Sequence, residues 1–139
     1  MKTYKTTHMI RPEDLNHHHN LYAGRAIEWM VESSFVAVTL TYGDGDGIRY
    51  KNTHKFDFKK SVLPGEIIGF YATVTRTGGS SLTIHVDMKD EKTGEVRAVG
   101  CTTFVTVNDA GRPLRHGIKL DDTEDQEELK WRKEAESFF

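Results

Sequence analysis

From Ala23 to the glycine at position 43 the chain carries a helical pattern that is apolar nearly all the way round, and this limits how it can fold more than anything else. Ala23, Ile27, Met30, Val31, Ser34, Phe35 and Val38 recur at helical spacing, and Ala26, Trp29, Val36 and Ala37 fill the remaining face. Such a helix has to be covered on most sides. Its polar exceptions, Arg25, Glu28 and Glu32, fall at i, i+3 and i+7 and line one stripe. The run Gly43-Asp44-Gly45-Asp46-Gly47 is too flexible to continue a regular element and ends it.

Beyond that run the period changes to two. Ile48, Tyr50, Asn52, His54, Phe56 and Phe58 alternate with polar neighbours until Pro64-Gly65. Further strands are predicted over residues 66–76, 82–88 and 96–107, separated by Gly78-Gly79 and Lys92-Thr93-Gly94 and closed by Asn108-Asp109-Ala110-Gly111. Residues 3–10 form a short first strand, and residues 11–20 have a loop composition. Consecutive strands joined by short turns pair antiparallel, which predicts a meander. The fold class is therefore α+β, a long antiparallel β-sheet wrapped around a central hydrophobic α-helix. Its open edges and short length favour pairing with a second copy.

Residues 123–139 differ in character. Thr123 followed by Gln126 suggests a capping box, and acids precede Lys130, Arg132 and Lys133 in the order that suits a helix dipole. This predicts a peripheral C-terminal helix that docks through Leu129, Trp131 and Phe138. The expected organisation is one domain over residues 1–118 and a charged helical extension over 119–139.

The chain has 139 residues, which suits one core. A formal net charge of -2 gives no basic bias toward nucleic acid or an anionic membrane, so neither is an expected partner. No stretch approaches the roughly 20 apolar residues of a membrane helix, and residues 1–10 lack an apolar signal region, so the expected location is the cytoplasm. The single cysteine, Cys101, lies in a predicted strand, where a small buried hydrophobe fits better than a nucleophile.

The segment Asn16-His17-His18-His19-Asn20-Leu21-Tyr22-Ala23-Gly24-Arg25 leads into the apolar helix. A helix N-terminus offers unpaired backbone N–H groups, and the small residues Ala23 and Gly24 let a carbonyl approach them, as an oxyanion site requires. Asn20 suits either a hydrogen bond to that carbonyl or the helix N-cap, and the two roles are compatible. Glu32, about two turns on, is a general-base candidate if apolar surroundings raise its pKa; the residues alone favour a salt bridge instead, such as Glu28 with Arg25 or Glu32 with a lysine of a neighbouring strand. Three successive histidines cannot aim three imidazoles at one ion. His17 and His19 could share one from an extended segment, but no third ligand follows, so no metal is expected. Arg76-Thr77-Gly78-Gly79-Ser80-Ser81 and Lys60 could hold phosphate or amide groups, or form a plain hairpin loop and a solvated strand end.

Taken together these residues resemble the hotdog-fold acyl-CoA thioesterases of the acyl-CoA hydrolase branch. Members of that branch open the central helix with a segment like Asn-His-His-Gly, then Thr, Asp or Asn, then Leu-Phe-Gly-Gly. The likeness runs on through Phe56-Asp57-Phe58 with Pro64-Gly65, Thr77-Gly78 with Ser80-Ser81, and Phe104-Val105 with Asp109-Ala110-Gly111-Arg112-Pro113, covering roughly residues 4–114. It implies a hotdog fold and a homodimer, with tetramer or hexamer left open. Acyl-CoA would be hydrolysed at a dimer-interface site, coenzyme A entering only as part of the substrate, with no other cofactor. Carried over by position, Asn20 and Glu32 are the implied catalytic pair, the backbone N–H groups of Ala23 and Gly24 the oxyanion donors, and Lys60, Arg76, Thr77, Gly78, Ser80 and Ser81 the substrate-binding set. His19 and Ala23 stand where the pattern has glycines, and Val31 stands where the family's acid commonly falls, about 100° of helix rotation from Glu32. Two rivals accompany this reading. One is an enoyl-CoA hydratase or dehydratase on the same fold, using His18 or His54. The other is a non-catalytic acyl-thioester-binding protein.

Overall fold

The alternating residues of the strands assemble into one five-stranded antiparallel sheet in the computed structural model, which describes all 139 residues. The strands are β1 (Thr3–Met9), β2 (Ile48–Phe58), β3 (Ile67–Thr77), β4 (Ser81–Asp90) and β5 (Val96–Thr106). Spatially they run β1-β3-β4-β5-β2, so only β3, β4 and β5 form the expected meander. β2 pairs with β5, from Ile48 opposite Thr106 to Phe58 opposite Ala98, rather than with β3. The connection after β2 is no tight turn. It carries Pro64 and a left-handed Gly65 (φ 85°), and its backbone is tied elsewhere: Leu21 N donates to Val62 O at 2.9 Å and Gly65 N to Ile10 O at 2.9 Å. Those bonds hold it across the sheet's end while the chain passes from one edge to the other.

One face of the sheet presents Phe70, Ala72, Val74, Leu82, Ile84, Val86 and Phe104 to α1 (Ala23–Tyr42), and these side chains form the core. α1 buries Ala26, Trp29, Met30, Ser33, Ser34, Ala37 and Val38 and stops at the left-handed Gly43. At Gly100 of β5 the Met30 thioether fills the space a side chain would need. The expectation of a helix covered nearly all round is met only in part within one chain. Ile27, Phe35 and Leu40 stay 36%, 37% and 59% exposed on α1, as does Tyr50 on β2 at 51%; Phe35 and Tyr50 both meet the Phe104 ring and leave apolar surface between α1 and β2, while Leu40 lies about 140° round the helix from Phe35.

The opposite face is polar and is partly covered by α2 (Gln126–Ser137). Asp125 caps α2 by accepting from Glu127 N at 2.9 Å and Glu128 N at 3.0 Å, so the cap lies two residues beyond Thr123. Thr123 instead accepts from Asp125 N through its hydroxyl. Trp131 stacks on His85 at 4.1 Å, and Phe138 stacks on His54 at 4.8 Å. Leu129 does not dock as expected and is 39% exposed. His85 in turn is 2.7 Å from Asp87, giving the buried imidazole a fixed partner. No helix is long and apolar enough to cross a membrane.

Candidate active site

The segment before α1 folds back on itself. Asn16 Oδ1 accepts from His18 N (2.9 Å) and Asn20 N (3.2 Å), and Asn16 N donates to Asn20 O at 2.7 Å. The turn is closed by His19 in the left-handed region (φ 63°), a conformation that favours glycine. That explains why a glycine suits this position and shows that the histidine accepts the same backbone with its side chain in solvent.

Asn20 is not the helix cap. Tyr22 holds that position, with no side-chain hydrogen bond, and its carbonyl accepts from Arg25 N and Ala26 N. The N–H groups of Ala23 and Gly24 have no partner in the chain, and neither does the side-chain amide of Asn20. Unpaired donors at the positive end of a helix suit a carbonyl oxygen that gains charge. A Cβ at Gly24 would stand 2.9 Å from Cζ of the Tyr22 ring, which is 58% exposed and has solvent to turn into.

Asn20 and Ala23 line a cleft of about 390 Å³ whose facing wall is the chain just after β2, residues Phe58, Lys59, Lys60 and Ser61. Lys60 therefore shares the cleft with Asn20, its ammonium paired with Glu95 at 2.9 Å. The wall is pinned from behind by Arg97, a residue the sequence reading passed over. Asp14 was missed as well: only 5% exposed, it pairs with Arg25 at 3.2 Å, accepts from Arg11 N, and lends its carbonyl to Tyr22 N. A lone arginine in an apolar strand and a lone carboxylate before an apolar helix were the available signals.

Glu32 lies elsewhere. It is solvent-exposed on α1 with no hydrogen bond or ion pair, so the apolar surroundings expected for it are absent; of the two ion pairs expected on this stripe, Arg25 with Glu28 forms, at 3.3 Å, and Glu32 with a lysine does not. Its charge acts at a distance on His8 of β1. His8 stacks on Trp29 at 4.1 Å, and burial pushes its pKa down against the opposing pull of Glu32 and Asp14. No carboxylate lines the Asn20 cleft within one chain.

The remaining predicted residues sit at and beyond the far end of β3, a strand roughly 33 Å long at about 3.3 Å per residue, and so lie toward the other end of the sheet from the cleft. Gly78 N donates to Ser81 O at 2.9 Å, closing the hairpin, and the Ser80 carbonyl accepts from Thr106 N at 2.8 Å. The hydroxyls of Thr77, Ser80 and Ser81 make no hydrogen bond. Arg76 is engaged by the C-terminal segment. Its Nε lies 3.2 Å from Glu136, off the angle of a hydrogen bond, and its guanidinium covers the Phe139 ring at 3.7 Å. His54, a candidate in the hydratase reading, lies under Phe138 and bonds Thr103 at 2.6 Å on the sheet's polar face. Cys101 is buried, and desolvation pushes its thiol up to about 12. No group of three or more ligating side chains is placed to hold a metal.

The single sheet crossed by one long helix is the hotdog fold. A family model, the thioesterase superfamily, matches residues 20–97, and the chain belongs to that family. Among solved structures it is similar to an acyl-CoA hydrolase from Staphylococcus aureus, studied with butyryl coenzyme A and coenzyme A, at a TM-score of 0.85 and 23% identity, over 98% of this chain and 80% of that one. It is equally similar to an acyl-CoA hydrolase from Bacillus cereus, at 0.85 and 22% identity, over 97% and 82%. A hexameric thioesterase from Yersinia pestis matches at 0.72 and 21% identity, over 85% and 94%. Comparison with curated proteins gave no match.

Proposed function

We propose that this chain is an acyl-CoA thioesterase that works as a homodimer in the cytoplasm, splitting an acyl-CoA into a carboxylic acid and coenzyme A. The observation that carries the reading is that Asn20, with its side-chain amide unpaired, and Ala23, with its N–H unpaired at the start of α1, line one open cleft, with the unpaired Gly24 N–H next in the chain. The thioester oxygen accepts from Asn20 and the Gly24 N–H. Water adds to the carbonyl carbon and passes a proton to Glu32 of a second copy. The C–S bond then breaks, and the proton returns to the departing coenzyme A sulfur.

A second copy supports this scheme in two ways. The exposed apolar surface of Phe35 on α1 and Tyr50 on β2 gives it a surface to cover, and β2 gives it a strand edge. Because the Thr77–Ser81 loop and the Asn20 cleft lie at opposite ends of the sheet, Arg76, Thr77, Gly78, Ser80 and Ser81 would reach the substrate from that copy, while Lys60 acts in its own cleft. The acyl-CoA hydrolases and hexameric thioesterase among the structural neighbours agree with the substrate class and with assembly.

Thiol release from a panel of acyl-CoAs, followed with a thiol-reactive dye, tests the reading. Asn20→Ala is expected to lower kcat by about 100-fold, the effect of one oxyanion donor. Undiminished turnover in both Asn20→Ala and Glu32→Ala removes these residues from the chemistry. The absence of a carboxylate in the cleft favours one alternative, binding of acyl thioesters without turnover. Coenzyme A binding by calorimetry with no thiol release from any acyl-CoA would select it.

A further inference from the structure

The wall opposite Asn20 is held by one buried residue, through both its side chain and its backbone carbonyl. Arg97, 7% exposed, donates from Nη1 to Ser61 O at 3.0 Å, and its own carbonyl accepts from Lys59 N at 2.8 Å and Lys60 N at 3.1 Å. Three consecutive wall residues thus hang on one arginine. The guanidinium is itself fixed by Glu66, at 3.0 and 2.7 Å, by Asp90 at 2.9 Å and by Glu95 at 2.7 Å. Glu66 extends the hold by accepting from Leu63 N at 2.6 Å. On the other side the same connection meets the residue after Asn20, through Leu21 N and Val62 O.

We propose that Arg97 is the positioning residue of the cleft: it sets the distance between the Lys59–Ser61 wall and the donors at the start of α1, and so the fit of the substrate between them. The proposal rests on the thioesterase reading for its kinetic consequence alone. Planar, forked donation is what the arrangement demands, since one group must reach a carbonyl and three carboxylates at once. Lysine in its place keeps the charge and loses the fork.

The two walls have separate duties. Asn20 and the helix N–H groups act on the carbonyl and are not attached to Arg97, whereas Lys59–Ser61 only hold the substrate against them. Full-length Arg97→Lys is therefore expected to raise KM for an acyl-CoA about tenfold, the equivalent of one charge-assisted hydrogen bond, with kcat within about twofold of the parent. A merely structural role predicts the reverse, a lower kcat from fewer folded molecules with KM unchanged, and that result overturns the proposal. Amide exchange gives a readout free of turnover. Exchange at Lys59, Lys60, Leu21 and Leu63 is expected to speed up while Val38 in mid-α1 stays protected, and unchanged exchange at these four sites would also overturn it. Glu66→Gln, which keeps Arg97, should move KM and exchange in the same direction by less, and decides the matter if Arg97→Lys does not fold. Should the parent release thiol from no acyl-CoA, the thioesterase reading fails and the exchange measurements still judge Arg97.

Discussion

Placing a methyl group at Gly100 should lift the central helix, and the structure sets the size of the effect. A Cβ there would lie 2.9 Å from Cε and Sδ of Met30 and 3.0 Å from its Cγ. Carbon atoms rest about 3.5–4.0 Å apart. Met30 is 1% exposed, and its sulfur also accepts from the Thr102 hydroxyl at 3.4 Å, so it has no open side to swing toward. Gly100→Ala should therefore cost about 1–3 kcal/mol of overpacking. Met30→Ala alone should cost about 2–5 kcal/mol through the void it leaves. In the double variant the new methyl occupies part of that void, so the combined cost should fall short of the sum by about 1–2 kcal/mol. Urea denaturation of the four proteins, read by tryptophan fluorescence and circular dichroism, supplies the cycle. Since α1 carries the Ala23 and Gly24 donors, turnover should drop in Gly100→Ala and recover in the double variant. Additive costs would refute the claim that these two residues set the seat of the helix.

Cys101, with its thiol near 12, should resist iodoacetamide at pH 8 in the native protein and react once urea unfolds the chain; native labelling at the rate of a free cysteine would contradict its burial. The pKa of His54 lies below its ordinary 6.5, chiefly through burial and then through Lys51 and Arg76, and that of His8 is lowered too. Their neutral forms are the folded ones, so stability is complete above about pH 6.5 and declines as pH falls through that value toward the lowered pKa values. The urea midpoint should thus fall between pH 7.5 and 5, less steeply in His54→Gln, and a midpoint that rises over this range would reverse the sign argued here.

The strands were legible because each is written locally: period-two alternation and glycine turns fix them to within a few residues at either end. Their order was not, because the pairing of β2 with β5 depends on where residues 59–66 are tied, through Val62, Gly65 and the Arg97 carbonyl, and no local pattern encodes those bonds. Asn20 and Ala23 could be brought to one cleft from spacing alone, since four residues span the step from turn to helix. The cap could not, because Asn20 and Tyr22 are two residues apart and only the fold-back on Asn16 decides which one starts the helix. The engagement of Arg76, expected in the substrate-binding set, by the C-terminal segment was not legible either, because it depends on where Phe139 comes to rest.

The α2 helix has a consequence for quaternary architecture. A sheet protein can multiply by stacking reverse faces or by joining at its rims and on its helical side. Here the reverse of β3 and β4 is occupied by a tethered segment of the same polypeptide, clamped by Trp131 on His85 and by Phe138 on His54. While that clamp is closed, back-to-back stacking over those strands is shut off, and growth of an assembly is steered to the rims.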